Sequence, residues 1–184
     1  VLPMRKSSAF TLAEVLITLA IIGVVAAMTI PGVIVRTNQQ EFKTGFKKAL
    51  SVLNQAITMN MAMDNESPED LAEGGMPEYL MRRMNVIQSD ITIGSNTAFY
   101  TADGFRYEIP GGLADCTADD PCIIAVDVNG DRGPISKDER TKITTGYPTS
   151  ADTNTIDFLA IMITDTGAQP FGAVAQRTMY QADK

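Results

Sequence analysis

The chain has 184 residues, a hydrophobic content of 45% and a formal net charge of −7. This length leaves room for one globular domain with a substantial core, and the acidic charge disfavours nucleic acid as a partner, because it repels phosphate. The sequence contains no histidine and two cysteines, which excludes a Ser-His-Asp triad, a histidine-based zinc site and a four-cysteine zinc site.

A long uncharged segment follows a short basic leader. Residues 15–35 contain no charged side chain, and a helix of that length reaches ~30 Å, enough to span a bilayer. Glu14 is the anomaly, because a carboxylate in hydrocarbon costs ~2.5–3.5 kcal/mol even on insertion scales. Either Glu14 lies at the headgroup level, or cleavage between Ala9 and Phe10 creates an α-ammonium for it one helical turn away.

These N-terminal features resemble those of the type IV pilins and type II secretion pseudopilins. The resemblance rests on the basic leader, the small residue Ala9, the run Phe10-Thr11-Leu12-Ala13-Glu14, the apolar helix and Pro31. The family usually has glycine where this chain has Ala9. An ordinary secretory signal is the alternative, but its cleavage site follows the apolar region, and Glu14 would interrupt the start of that region.

The resemblance implies three segments and a set of partners. Residues 1–9 form a leader peptide, residues 10–35 an apolar half-helix for the membrane and the filament core, and residues 36–184 a globular pilin-like domain. The implied partners are further copies of the chain, other pilin-like subunits, a prepilin peptidase and the inner-membrane assembly machinery. The residues implied for processing, N-methylation and assembly are Ala9, Phe10, Glu14 and Pro31.

The first helix is predicted to continue as an amphipathic helix to about Met63. Residues 31–32, Pro-Gly, mark a kink or a locally melted turn. Ser67 is positioned to cap a short helix that residues 74–75 end, and residues 77–84 indicate another. The apolar residues that recur at helical spacing, and so predict a buried stripe, are Phe42, Phe46, Ala49, Leu50, Leu53, Ile57 and Met61. The methionines interpreted as core filler are Met59, Met61 and Met63.

From residue 96 the pattern changes to the period of β-strands. Residues 96–101 and 105–109 flank Asp103-Gly104, a favourable hairpin turn. The further predicted strands are 122–128, 156–164 and an edge strand at 171–179. Helices followed by antiparallel strands predict an α+β fold. This agrees with the pilin-like fold that the resemblance implies, in which the apolar first half of the long helix protrudes and the amphipathic second half packs on a small antiparallel sheet.

The two cysteines, Cys116 and Cys122, are separated by a short loop. If the domain lies outside the inner membrane, we expect them to form a disulfide, which would stabilise the fold by ~2 kcal/mol. The alternative is a pair of independent buried thiols.

One loop offers oxygen side chains at alternate positions, with a further carboxylate downstream, as calcium sites do. It resembles EF-hand-like and dockerin loops, but Arg132 stands where the sharp turn needs glycine and Ile135 offers no side-chain oxygen. Calcium is therefore the candidate cofactor. Its candidate ligands are Asp127, Asn129, Asp131 and Asp138. The alternative is a turn in which Asp127 and Asn129 bond local backbone donors.

These patterns favour a structural subunit of a type IV pilus-like or type II secretion filament, anchored in the inner membrane before assembly. Its domain would then be periplasmic, and the filament periplasmic or extracellular. The alternative is a minor or tip pilin that acts as a ligand-binding or adhesive module. No nucleophile or convergent set of polar residues stands out, so we do not expect an enzyme.

Overall fold

The computed structural model contains three helices and six strands in its described part, residues 10–71, 74–93, 95–111, 113, 115–130 and 158–180. The chain divides into two compact units, Val1–Asn38 and Gln39–Lys184. In chain order the elements are α1 (Leu12–Met63), α2 (Gly75–Met81), β1 (Val86–Ile93), β2 (Asn96–Thr101), β3 (Arg106–Pro110), β4 (Cys122–Asp127), β5 (Phe158–Thr164), β6 (Gly167–Pro170) and α3 (Gly172–Tyr180).

The first helix is helical without interruption for 52 residues, and it includes Pro31. The locally melted turn, one of the two predictions for residues 31–32, is therefore wrong. A proline removes a single backbone donor from the helix, whereas a melted turn in an apolar segment would leave several backbone groups without partners. The predicted end of the helix at Met63 is confirmed.

The amphipathic part of α1 supplies one side of the hydrophobic core in the second unit. Phe46 and Leu53 are fully buried in one cluster with side chains of the sheet, among them Phe99 and Ile124. The predicted stripe is thus confirmed except for Met61. That residue is 41% exposed, and Met59 and Met63 are 39% and 70% exposed, so the interpretation of these methionines as core filler is wrong. They lie in the last two turns of α1.

The six strands form one antiparallel sheet in which each strand pairs with its neighbours in the sequence, in the order β1 to β6. The hairpin of β2 and β3 and the predicted strands over β4 and β5 are confirmed. One face of the sheet carries the core residues, which alternate along β3 to β5 as Tyr107, Ile109, Ile124, Val126, Leu159, Ile161 and Ile163. This arrangement confirms the α+β, pilin-like fold class.

Two predicted elements near the middle of the chain differ from the structure. Residues 67–71 form a turn instead of the start of a helix, with the Asp70 N–H donating to the Ser67 carbonyl at 3.1 Å. The Pro68 carbonyl accepts from the Cys116 N–H at 2.8 Å, so that carbonyl bonds another loop instead of a helical turn. The second predicted helix exists, but it begins at Gly75 after Gly74, whose φ is +106°.

Two strand predictions also need correction. The strand β1 was not predicted, and the structure shows why. Its pairing with β2 shifts register twice, which destroys the two-residue period that identifies strands. The predicted edge strand at 171–179 is wrong, because this segment is the helix α3. Its Val174 and Ala175 are buried, and the edge strand of the sheet is β6 instead.

Candidate functional site

The N-terminus of α1 is closed by a reciprocal pair of hydrogen bonds between Thr11 and Glu14. The Glu14 N–H donates to Thr11 Oγ1 at 3.3 Å, and the Thr11 N–H donates to Glu14 Oε2 at 2.8 Å. The Thr11 hydroxyl also donates to the same carboxylate oxygen at 2.8 Å. This arrangement is a capping box, which satisfies backbone donors that the first helical turn leaves unpaired.

The capping box gives Glu14 a partner within its own chain. Its carboxylate reaches back to the backbone nitrogen that directly follows Phe10, close to where cleavage would create an α-ammonium. Glu14 was identified as a site residue from its sequence context, whereas Thr11 was not. The signal was present, since Thr-x-x-Glu before an apolar run is the sequence signature of this cap.

The helix behind the cap is apolar and exposed. The segment Leu12–Val33 spans 22 residues with a mean hydropathy of 2.3, and its side chains are not buried. Phe10 is 86% exposed, and Met28 is 77% exposed. By length and composition, this segment can cross a bilayer. Pro31 lies within it, while Ala9, the residue before the predicted cut, lies outside the described residues.

The predicted disulfide is confirmed: Cys116 and Cys122 are bonded, with their Cα atoms 5.0 Å apart. Both residues are buried, at 0% and 3% exposure. The loop that they close carries its own turn, in which the Thr117 N–H donates to the Asp120 carbonyl at 3.1 Å. The bond therefore fixes this loop at the start of β4 and, through the Cys116 N–H, against the turn at Pro68.

Two of the four predicted calcium ligands lie in the described part of the chain. Asp127 is fully buried at the end of β4. Its Oδ1 accepts the Asn129 N–H at 3.2 Å, and its Oδ2 lies 3.8 Å from Arg106 Nη2. Asp131 and Asp138 lie outside the described residues, and the described residues contain no group of three or more acidic or cysteine side chains that could hold a metal. The four-residue calcium site therefore stays a prediction.

The surroundings of Asp127 include a buried charge cluster that was not predicted from the sequence. Arg106 lies opposite Asp127 in the β3–β4 register and opposite Tyr100 in the β2–β3 register. Its guanidinium forms an ion pair with Glu108, and the side chains of Arg106, Glu108 and Asp127 are 4%, 1% and 0% exposed. Burial disfavours the charge of Arg106, but the hydrogen bond with Tyr100 and the two carboxylates outweigh it and raise the pKa of Arg106.

This geometry leads to a prediction for calcium. We expect the full chain in detergent to unfold at the same temperature in calcium as in chelator, because Asp127 is already bonded to a backbone donor and faces a guanidinium. A midpoint several degrees higher in calcium would contradict this expectation, since ligand at a hundredfold excess over its dissociation constant stabilises by ~2.7 kcal/mol. Asp131→Ala and Asp138→Ala would then identify whether the two remaining candidates complete the site.

A shallow surface cleft of about 370 Å³ lies on the outer side of α3 and is lined by Ala173, Gln176, Arg177 and Tyr180. Arg177 is the one charged residue of this lining, and Tyr180 is 73% exposed. A cleft of this composition does not bring together a nucleophile and a base.

Comparison with known families identifies the N-terminal segment. Residues 4–30 match the prokaryotic N-terminal methylation motif, a prepilin-type signal that is consistent with a pilin-like or pseudopilin-like protein. The match covers residues 4–9, the Thr11–Glu14 cap and most of the apolar segment. No curated protein and no solved structure matches the chain.

Proposed function

We propose that this chain is a structural subunit of a type IV pilus-like or type II secretion filament, held in the inner membrane by its N-terminal helix before assembly. The observation that carries the proposal is the methylation motif at residues 4–30 on a helix that is capped, apolar and exposed from Leu12 to Val33. A methylation motif alone indicates processing. An exposed apolar helix directly behind it supplies a surface for assembly.

The apolar side chains of the exposed helix are shielded from water in two environments. In the membrane, lipid covers it; in a filament, the helices of neighbouring copies do. Large apolar side chains such as Leu16, Ile22 and Val33 are each about 60% exposed, so such packing gives each of them new contacts. A head-to-tail contact between copies that does not close on itself generates a helical filament.

Glu14 has a specific role in this proposal. In the separate subunit its carboxylate is bonded to Thr11, which lowers the cost of placing a charge near hydrocarbon. Its second oxygen makes no hydrogen bond with the described residues, so it can accept a bond from the α-ammonium of Phe10 in its own chain or in a neighbour. Pro31 would act in the same assembly, within the helix that packs.

The proposal includes processing and location. Residues 1–9 are the leader, a prepilin peptidase cuts after Ala9, and the new N-terminus at Phe10 is methylated. The globular part then lies in the periplasm, where the bond between Cys116 and Cys122 can form. Partners are other copies, other pilin-like subunits and the inner-membrane assembly machinery.

A tip subunit that binds a ligand or a surface is the alternative. A subunit at the tip does not have to fit beneath another copy, so it does not need a carboxylate at the front of its helix. The presence of Glu14, already bonded within the cap, favours a position within the shaft.

The mature protein tests the proposal. Purified from membranes of cells with a prepilin peptidase, it should begin at Phe10 and carry one additional methyl group, as measured by intact mass and N-terminal peptide analysis. Ala9→Leu should leave the leader attached, and Ala9→Gly should be cut like the natural chain. A mature N-terminus beyond the apolar segment would show an ordinary secretory signal and contradict the proposal.

A further inference from the structure

The last strand of the sheet, β6, lies at one edge, and a side chain of α1 forms hydrogen bonds with backbone groups of that edge. Asn54 Nδ2 donates to the Ala168 carbonyl at 2.9 Å, and the Ala168 N–H donates to Asn54 Oδ1 at 2.9 Å. The amide of Asn54 thus makes the same pair of bonds that a residue of an additional strand would make. Gly167 permits this approach, because a Cβ at that position would lie 2.6 Å from Asn54 Oδ1.

The other residue of β6 whose backbone groups point away from β5 has no N–H group to donate. Along an antiparallel strand, backbone groups point alternately toward the partner and away from it. Ala168 bonds to Asn54, away from β5, so the next outward residue is Pro170. Proline has no N–H. The chain then turns back, since the Phe171 N–H donates to the Ala160 carbonyl of β5 at 3.0 Å.

The opposite edge strand, β1, is closed by different means. Its pairing with β2 shifts register between Val86 and Gln88 and again between Gln88 and Ile91. Within the second irregularity Asp90 has a φ of +60°, and Ser89 Oγ donates to its Oδ2 at 2.8 Å. Bulges and a charged residue on an exposed edge are the features by which sheets avoid pairing with a further strand.

We propose that both edges of this sheet are closed to strand addition by a second copy of the chain, β6 through Asn54 and Pro170 and β1 through its two bulges with Asp90. Any association between copies of the chain therefore leaves the sheet without an added strand. Asn54 has a double role, since it fastens α1 to β6 and occupies the position of a seventh strand. This inference does not depend on the filament proposal, because it concerns the globular unit alone.

The test replaces Asn54 with alanine in the full chain, purified in detergent micelles that cover the apolar helix. In this variant the outward N–H and carbonyl of Ala168 have lost their hydrogen bonds with Asn54, so a strand of another copy can bond them. We expect the fraction of protein in sedimenting, thioflavin-positive aggregates with an intermolecular β-sheet infrared band to rise about tenfold. Pro170→Ala, which adds a donor to the same edge and leaves the core intact, should raise that fraction by a smaller factor.

The matched control is Asn60→Ala. Asn60 is also on α1 and fully buried, and its amide bonds the Tyr79 carbonyl at 2.7 Å and Arg83 Nε at 3.0 Å, neither of which belongs to a strand of the sheet. The two asparagine variants are compared at temperatures where circular dichroism shows equal unfolded fractions. Equal sedimentation would overturn the proposal, because destabilisation alone would then explain aggregation. A Pro170→Ala variant that melts like the natural chain and sediments no more than it does would overturn it as well.

Discussion

Replacing Glu14 with alanine is expected to prevent filament formation and to leave a folded, membrane-inserted subunit. Among the residues that the structure describes, the core cluster begins at Phe42, so we do not expect folding of the globular unit to depend on Glu14. In the filament, the α-ammonium of Phe10 would be buried without its counter-charge, at ~3–5 kcal/mol for each contact. That corresponds to at least a ~100-fold weaker contact. Sheared filaments and membrane-bound subunit are quantified separately, and circular dichroism of the subunit reports folding.

Two further variants separate the two roles of Glu14. Thr11→Val removes the hydroxyl of the capping box and keeps the carboxylate, so its effect is limited to the ~1 kcal/mol of a helix cap, and filaments should still form. Glu14→Gln keeps an oxygen for the Thr11 N–H but removes the charge, so it should fail to assemble as Glu14→Ala does. If Thr11→Val lost filaments to the same extent, Glu14 would act as a cap and not as a counter-charge.

The parts of the molecule that the sequence predicted well are those with an uninterrupted local pattern. The apolar segment is an unbroken run of uncharged residues, and the stripe from Phe42 to Ile57 follows a helical period over many residues. Long runs of either kind average out local exceptions. The β2–β3 hairpin combines alternating strands with an Asp-Gly turn, which specifies its own register. Prediction of the disulfide required only two cysteines with a short separation and an oxidising location.

The parts that it missed depend on contacts between distant residues. In β1 two bulges cancel the strand period, and only the pairing with β2 shows that the segment is a strand. The α3 segment was interpreted as a strand. The burial of its Val174 and Ala175 follows from packing on the sheet, which a local pattern does not show. The partner of Asn54 is 114 residues away along the chain, and no local pattern predicts such a contact. The same holds for the charge cluster at Arg106, whose members come from two strands.

Replacing Arg106 with methionine is expected to destabilise the globular unit strongly. Methionine keeps much of the side-chain volume but removes the guanidinium that lies between Glu108 and Asp127, all three of them nearly inaccessible to solvent. Removing one partner of a buried ion pair typically costs ~3–5 kcal/mol, since the remaining charges stay buried. For a unit of this size the melting temperature should fall by ~10 °C or more. Thermal unfolding of the full chain in detergent, followed by circular dichroism, measures the change.

Removing the carboxylate charges in the same chain should reverse most of this loss. The triple variant with Arg106→Met, Glu108→Gln and Asp127→Asn has no charge left in the cluster, and replacing a whole buried ionic group by neutral residues is often close to neutral in stability. The asparagine keeps an oxygen for the Asn129 N–H, so the turn after β4 should persist. A triple variant no more stable than Arg106→Met would assign the loss to packing. Recovery would show that Asp127 is paired with Arg106 and is held in place by the sheet, so that its carboxylate orders the chain where β4 ends.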